Sequence, residues 1–317
     1  MTLAPFVRIV AQGKGRARPL TQAEAHAAMA LILEGKAAPE ALGALLMVLR
    51  LRGETDSEIA GFTAALRAAP RLPDTTTGAD LDWPCYAAGR TRGAPLFLLA
   101  AKLVAQAGYR VVLHGWNTHQ GSAADLRRAL QELPLEGGGL SYIPLEQLNP
   151  AAFDLLQLRD TFGLRSCINT VLRMWNPLAA PVSVQGVFHP TYRGLQSRAA
   201  ALLGDQNLLV IKGGGGEFER HPGKEIAIFG RRKGAELDAR AAPLMHEEAR
   251  RLHEPDHPLD LGAIWSGAQD DAFARTTVTG TAALALWSLQ AAPTLPAAAT
   301  LATNLWQQRH NQNRSSL

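Results

Sequence analysis

The sequence predicts an α/β protein, with a small N-terminal helical domain and a larger α/β domain around a mainly parallel central sheet. Two observations predict this class. Residues 20–70 carry only helical patterns, and Pro70 and Pro73 close them. After them, short apolar strand-like runs alternate with helix-like runs, as is typical of a parallel sheet covered by helices. We therefore expect a helical domain at 1–76 and an α/β domain at 77–317.

The helical domain carries two clear signals for the start of a helix. Thr21 with Glu24, and Thr55 with Glu58, each form a T-x-x-E pattern before an apolar run. This spacing is the signature of a capping box. Between the two patterns, residues 39–51 place leucines on one helical face. The pattern predicts three helices in this domain.

The α/β domain is predicted from alternating runs. We expect strands at 110–115, 182–189, 207–213 and 225–230. We expect helices at 94–108, 122–133, 145–157 and 191–203, with a last amphipathic run from near Thr279. Ligands of parallel α/β folds bind beyond the carboxyl ends of the strands. The candidate site therefore consists of the loops that follow these strands and the stretch WPCYAAGRTRGAP at 83–95.

Composition and cysteine usage favour a cytoplasmic protein with no membrane partner. The chain has 317 residues, of which 19% are charged, and it shows no signal-peptide pattern and no apolar run of membrane-spanning length. Cys85 and Cys167 lie far apart, so we expect two reduced, buried thiols. No zinc-type spacing of histidine, cysteine or glutamate occurs, and no metal site is predicted.

The distribution of charge is more informative than the net charge of +4. Three long segments contain basic residues and no acid: 1–23, 83–124 and 161–204. Carboxylates collect elsewhere, for example between 125 and 160. If the fold brings the three segments together, they form one positive surface, which is the electrostatic footprint of a nucleic-acid binder.

Three segments of the chain resemble anthranilate phosphoribosyltransferases of glycosyltransferase family 3. The run VVLHGWNTHQGSAADLRRAL resembles the family's K-H-G-N-R loop and the helix after it. GLRSCINTVLRMWNPLAAPVSVQGVFHP resembles its GxRTxFNxxGPLxNP segment, and NLLVIKGGGGEFERHPGK stands in the place of VxHGxxGxDE. The resemblance implies a fold of the nucleoside phosphorylase/phosphoribosyltransferase type. It also implies a homodimer formed by the helical domain, which we expect to include helices near 160–178.

The positions at which this sequence departs from the family pattern are those that the family uses for its reaction. CYAAGRTRGAPLFLLA replaces the glycine-rich GTGGD loop and N-x-S-T, and Gly89 is a poor substitute for a backbone nest around pyrophosphate. Phe218-Glu219 replaces the Asp-Glu pair that holds Mg²⁺ in the family, with Glu217 as a shifted candidate. His114 and Gly115 are kept, while Trp116 and Asn117 follow in place of the family's asparagine. The chain is therefore similar to the non-catalytic, nucleic-acid-binding branch of the family.

Basic residues near the expected loops are the candidate contacts to phosphate. Arg90 and Arg92 suit bidentate pairing with phosphate oxygens, and Arg165 matches the arginine of the family's G-x-R-T. Lys212 precedes a glycine run that permits close approach of a phosphate backbone. The remaining candidates are basic residues of the third acid-free segment, the lead-in and a strand end: Arg173, Lys14, Arg16, Arg18, Arg231, Arg232 and Lys233. Tyr86 and Trp116 either stack on bases or pack, and both interpretations stay open.

We therefore expect sequence-nonspecific binding of DNA or RNA, with a single strand favoured, and no cofactor. Tyr86, Gly89, His114, Gly115, Trp116, Asn117 and Glu219 would be the remains of a substrate pocket. The alternative is a phosphoribosyltransferase that acts on anthranilate or another acceptor with Mg²⁺. A sensor of one small nucleotide or phosphosugar, and a scaffold for an acidic protein, also remain open.

Overall fold

The structure, a computed structural model, describes residues 2–13, 15–69, 78–86, 93–116, 126–133, 139–247, 250–252 and 259–310. Four helices form the N-terminal unit: α1 (Ala4–Ala11), α2 (Gln22–Leu33), α3 (Pro39–Arg52) and α4 (Asp56–Ala68). Both predicted capping boxes are present, at Thr21 with Glu24 and at Thr55 with Glu58. Helix α1 was not predicted, because this short amphipathic segment before a glycine-rich lead-in carries no capping signal.

A seven-stranded sheet forms the centre of the larger unit, in the order β3-β2-β1-β4-β5-β6-β7. The strands are β1 (Leu81–Cys85), β2 (Val111–Gly115), β3 (Leu140–Pro144), β4 (Val182–Val187), β5 (Leu208–Lys212), β6 (Ile226–Arg232) and β7 (Ala235–Ala241). The pairs from β3 through β5 are parallel, and β6 and β7 add an antiparallel edge. The predicted fold class, a mainly parallel sheet beside a helical domain, is confirmed.

Nine further helices occur among the described residues. They are α5 (Phe97–Gln106), α6 (Leu126–Glu132), α7 (Leu145–Leu148), α8 (Pro150–Phe162), α9 (Ile168–Arg173), α10 (Thr191–Leu203), α11 (Leu261–Ser266), α12 (Ala272–Ser288) and α13 (Leu295–Gln308). The run predicted at 145–157 is divided at Asn149, whose Oδ1 accepts the Ala152 N–H at 2.9 Å and starts α8. The last amphipathic run begins at Ala272 rather than near Thr279, because Asp271 caps α12 through the Ala274 N–H.

Two hydrophobic cores lie on opposite faces of the sheet. Helices α5, α12 and α13 pack on one face, around Trp83, Phe97 and Phe218. The N-terminal helices share the other core with α7, α8 and α9, around Phe62 and Trp175. Cys85 and Cys167 are buried free thiols, as predicted. None of the helices described is both long and apolar enough to cross a membrane.

Candidate functional site

The candidate site lies past the carboxyl ends of the parallel strands. Because β1, β2, β4 and β5 run in the same direction, the residues that follow them meet along one edge of the sheet. Tyr86 follows β1, Trp116 follows β2, Phe188 and His189 follow β4, and Gly213 follows β5. The fold thus brings together the segments that we selected because they follow the carboxyl ends of strands.

A buried chain of polar side chains lies beneath this edge. The Tyr86 hydroxyl and His114 Nδ1 are 2.9 Å apart, and His114 Nε2 lies 3.0 Å from Asp82 Oδ1 without the alignment of a hydrogen bond. The Ser183 hydroxyl donates to Asp82 Oδ2 at 2.7 Å. Asp82 and His114 have no exposed surface, and Tyr86 has 1%. Tyr86 and His114 therefore support the strands from inside, and Tyr86 is not placed to stack on a base.

Gly115 is required by the close approach of two strand ends. A Cβ at this position would lie 1.8 Å from the Cys85 carbonyl oxygen. The Trp116 N–H donates to that same oxygen at 3.3 Å. The glycine of the H-G pair is thus explained by contact between β1 and β2 rather than by a ligand.

Trp116 packs within the protein. Its ring lies 4.7 Å from that of Phe153 in an edge-to-face arrangement, and the Arg127 guanidinium lies 4.1 Å from its centre. Arg127 in turn pairs with Glu146. Stacking on a base was the other interpretation of Trp116, and these contacts favour packing.

The glycine run at 213–216 folds back on its own chain. A Cβ on Gly213 would lie 1.6 Å from the Glu217 carbonyl oxygen, and Gly215 and Gly216 have φ of +61° and +91°. The run therefore serves a tight turn, and Gly214 and Gly216 are buried. Lys212, just before it, is exposed.

Phe218 and Glu219, at the family's metal position, are both committed to the fold. Glu219 has no exposed surface, and its Oε2 accepts the Phe97 N–H at the start of α5 at 2.9 Å. Phe218 packs edge-to-face on Trp83 at 5.3 Å, in the core. No group of three metal-ligating side chains occurs within the described ranges. A buried carboxylate that accepts a backbone amide does not suit Mg²⁺, which retains several waters, so these residues do not fit the ion.

Four arginines surround a cavity of about 260 Å³ that we call the arginine pocket. They are Arg50, Arg159, Arg165 and Arg173. Asn169, Phe188, His189, Tyr192 and Gln196 also line it, and no described carboxylate does. The Glu54 carboxylate accepts the hydroxyl of the lining residue Tyr192 at 2.9 Å.

Among the described residues, no carboxylate forms a salt bridge with any of the four arginines of the pocket. Burial, followed by the charges of Arg159, Arg173 and Arg50, lowers the pKa of Arg165 to about 10. Arg173 is 5% exposed, and burial lowers its pKa although Glu217 acts in the opposite direction. An anion in the pocket would relieve both the repulsion and the loss of hydration.

A second cavity, of about 490 Å³, adjoins the first and shares Phe188 and His189 with it. Arg193, Lys212 and Lys224 contribute its positive charge. Its one described carboxylate, Glu225, pairs with Arg240 at 2.6 Å. We call the two cavities together the basic groove. Seven of the described cationic side chains line it, four in the first cavity and three in the second.

Only part of the predicted set lies in the basic groove. Arg165, Arg173 and Lys212 line it. Both terminal nitrogens of Arg18 pair with Glu24 at 2.7 Å, which leaves Arg18 less able to bind phosphate than we expected. Arg16 is exposed. Lys14, Gly89, Arg90, Arg92 and Asn117 lie outside the described residues.

The basic triplet at the end of β6 and in the turn after it lies away from the groove. Arg231 donates to the backbone oxygens of Asp205 and Gly234, and Arg232 lies 5.1 Å from the centre of the Trp287 ring. Lys233 occupies the β6–β7 turn with φ of +53°. None of these three residues lies in the lining of either cavity of the groove.

Several residues of the groove were not predicted from the sequence. Arg50, Arg159, Phe188, His189, Arg193 and Lys224 line it without having been selected. Phe188 and His189 could have been found, because they lie at the end of a predicted strand. Arg193 lies in an acid-free segment that was noted. Arg50 and Arg159 come from helices α3 and α8, and only the tertiary fold brings them here.

Comparisons with known proteins agree with this architecture. Residues 6–69 match a family model described as the helical bundle domain of a glycosyl transferase family. The chain is 34% identical over 214 residues to an anthranilate phosphoribosyltransferase of Roseiflexus castenholzii, a match that covers 63% of this chain and 62% of that relative's length. It is 30% identical to the Anaeromyxobacter sp. enzyme of the same name over 254 residues, 74% of this chain and 72% of the relative.

The likeness extends to solved structures. The anthranilate phosphoribosyltransferase of Thermus thermophilus superposes with a TM-score of 0.74 at 22% identity. The superposition covers 91% of this chain and 92% of that one. At this identity it shows a shared fold and nothing more. From the sequence matches and the shared architecture together, the chain belongs to the anthranilate phosphoribosyltransferase family.

Proposed function

We propose that the chain binds nucleic acid without sequence preference and without catalysis, through the basic groove. One observation carries the proposal. Seven cationic side chains line two adjoining cavities, and the one carboxylate described there is already paired with Arg240. Such a row of unneutralised charge along a groove suits an extended polyanion better than a single small ion.

Binding would proceed by neutralisation of phosphates and release of their counterions. Each phosphate that meets an arginine or lysine frees condensed cations, so affinity falls steeply as salt rises. Arginine adds bidentate pairing with phosphate oxygens. None of these contacts reads a base edge, and the binding is therefore nonspecific in sequence.

An exposed aromatic ring favours a single strand. Phe188 is 45% exposed and stands where the two cavities meet. Its ring contacts that of His189 edge-to-face at 4.9 Å. A base of a single strand is free to stack on such a ring, whereas the bases of a duplex are already stacked on each other.

The proposal excludes the family's reaction for a chemical reason. Phosphoribosyl transfer needs the pyrophosphate to be positioned and its charge neutralised as it leaves. The sequence has no GTGGD loop, and Glu219 is occupied by the Phe97 amide. We therefore propose that this chain belongs to a non-catalytic branch of the family.

The alternative is a phosphoribosyltransferase that acts on anthranilate or another acceptor with Mg²⁺. The names of the relatives favour it, and so does the arginine pocket, whose charge would also suit a carboxylate. That function requires metal chemistry for which Glu219 is poorly placed, and we rank it second.

We also propose that the chain is a homodimer joined through the helical domain. Leu51 on α3 is 91% exposed, but a single exposed leucine is normal on a monomer surface, so this proposal rests on the family resemblance of the helical domain. Size-exclusion chromatography with light scattering tests this part, and a monomer at micromolar concentration would contradict it.

The deciding experiment measures a labelled oligonucleotide by fluorescence anisotropy at several salt concentrations, with phosphoribosyl pyrophosphate plus Mg²⁺ as competitor. We expect tight binding, a steep negative slope of log affinity against log salt, and no competition at stoichiometric levels. Weak oligonucleotide binding together with clear binding of the small ligand would favour the transferase.

A second test concerns the loop at 87–92, which lies outside the described residues. We expect Arg90→Ala with Arg92→Ala to weaken binding and to lower the salt slope, because two guanidinium contacts to phosphate would be lost. Unchanged affinity and slope in the double variant would remove this loop from the interface.

A further inference from the structure

The arginine pocket becomes more enclosed from one arginine to the next. Arg50 is exposed, Arg159 and Arg165 are half-buried, and Arg173 is buried with 5% exposure. The cavity therefore leads from the surface to a guanidinium inside the protein. The second cavity is instead lined by Lys212 and Lys224, which are both exposed. The two ends of the basic groove thus differ in depth.

The innermost arginine has unused hydrogen-bonding capacity. Arg173 Nη1 donates to the Asn169 carbonyl oxygen at 3.3 Å, and Nη2 is buried with no hydrogen-bond partner among the residues described. A guanidinium has five donors, and leaving a buried one unpaired is costly. The group that would satisfy it is an anion with several acceptor oxygens.

The depth of the pocket restricts which phosphate can reach Arg173. An internal phosphodiester continues into sugar on both sides, so it can lie along an open groove but cannot enter a closed end. A terminal phosphomonoester is attached on one side alone. It also presents three free oxygens and a charge of about −1.5 to −2 near neutral pH, more than a diester carries. Both properties suit a pocket of about 260 Å³ with four arginines.

We propose that the arginine pocket binds the terminal phosphomonoester of a nucleic-acid strand, while the strand continues past Phe188 toward Lys212. This inference rests on the proposed function, and it adds that the groove recognises a phosphorylated end. Arg165 and Arg173 would pair with the terminal oxygens, and Phe188 would support the first base. The chemistry is shared by 5′- and 3′-phosphates, and the experiment separates them.

The test compares three oligonucleotides of one sequence: with a 5′-phosphate, with a 3′-phosphate, and with hydroxyls at both ends. Each is labelled at an internal position and titrated by anisotropy at about physiological salt. We expect one phosphorylated form to bind about tenfold more tightly than the hydroxyl form, in line with a charge-assisted contact. Equal affinity of all three for the wild-type protein would overturn the inference.

Variants assign the preference to the pocket. Arg165→Gln, at a half-buried position, should reduce the preference for the phosphorylated end to about one. Arg173→Lys, which keeps the charge at the buried position, should reduce it several-fold, since it loses the planar fork. Lys212→Gln is the matched control, because it should weaken all three oligonucleotides equally. A preference that persists in Arg165→Gln and Arg173→Lys, with native melting curves, would contradict the assignment.

The pH dependence gives an independent readout. A phosphomonoester loses its second charge as pH falls through about 6, whereas a diester does not titrate there. His189 also lines the pocket, so the measurement uses a His189→Gln background, in which the preference for the phosphorylated end should shrink between about pH 7.5 and 5.5. Salt-dependent binding without any end preference would contradict this inference but not the proposed function. Failure of every oligonucleotide to bind would contradict both.

Discussion

Replacing the two exposed lysines of the second cavity tests whether the basic groove contacts phosphate directly. Lys212 and Lys224 are exposed, and neither has a described ion pair that would be broken by Lys→Gln changes. For single strands, each neutralised phosphate contributes about 0.7 to the slope of log affinity against log salt. The double variant should therefore lower the slope by about 1.4.

The same figure gives a fold-change that anisotropy resolves easily. Over a fourfold rise in salt, from about 50 to 200 mM, a slope difference of about 1.4 amounts to roughly sevenfold. The affinity of the variant should thus fall about sevenfold less over this range than that of the wild-type protein. Slopes are compared with one single-stranded oligonucleotide under identical conditions.

A charge-matched control separates direct contact from the overall field of the protein. Arg8→Gln with Lys36→Gln removes the same two charges at positions that line neither cavity. This control should leave the slope almost unchanged. If the control and the groove variant lose the same slope, the reasoning fails, because net charge rather than the groove would then determine binding.

Three other contacts give predictions of their own. Phe188→Ala should lower single-strand affinity by about 1–3 kcal/mol and spare duplex affinity, since only an unpaired base can stack on the ring; an equal loss for both in anisotropy would argue against stacking. Tyr86→Phe removes the hydroxyl at 2.9 Å from His114 Nδ1 and should cost about 1–3 kcal/mol in urea unfolding at unchanged oligonucleotide affinity, whereas lost affinity would return Tyr86 to the site. The hydrogen bond from Arg18 and that from the Thr21 amide lower the pKa of Glu24 to about 2. A depressed carboxyl pKa stabilises the fold above the ordinary value of about 4.3 and loses that effect as pH falls toward 2. Glu24→Gln should therefore converge on wild-type stability over that window, and a constant difference would refute this.

The elements with strong local signals could be predicted from the sequence. Thr21 and Thr55 define the starts of α2 and α4, because a capping box satisfies backbone groups within four residues. The strand that ends at Gly115 and helix Thr191–Leu203 also follow from their own patterns. Strands β3 and β7, which lie at the two edges of the sheet, were missed. Strand β7, AELDARA, is largely exposed, so it has no apolar face to reveal it.

The candidate site depends on information that local sequence does not contain. The order β2-β1-β4-β5 brings the ends of non-consecutive strands together, and only the assembled sheet specifies it. Arg18 was expected to bind phosphate, but its guanidinium donates to the Glu24 carboxylate in the first turn of α2. Arg173 lies in a predicted basic segment, yet its burial results from packing in the assembled fold. The acid-free stretch 161–204 was nevertheless a useful guide, since it supplies Arg165, Arg173 and Arg193.

The contact between Gly115 and the Cys85 carbonyl has a consequence for how proteins of this architecture diverge. Together with the buried Tyr86–His114–Asp82–Ser183 chain, it fastens the ends of the central strands from beneath. These contacts lie within the sheet ends and, Tyr86 apart, do not involve the segments that follow them. Selection can therefore rewrite those segments, and with them the chemistry, while the framework keeps its shape.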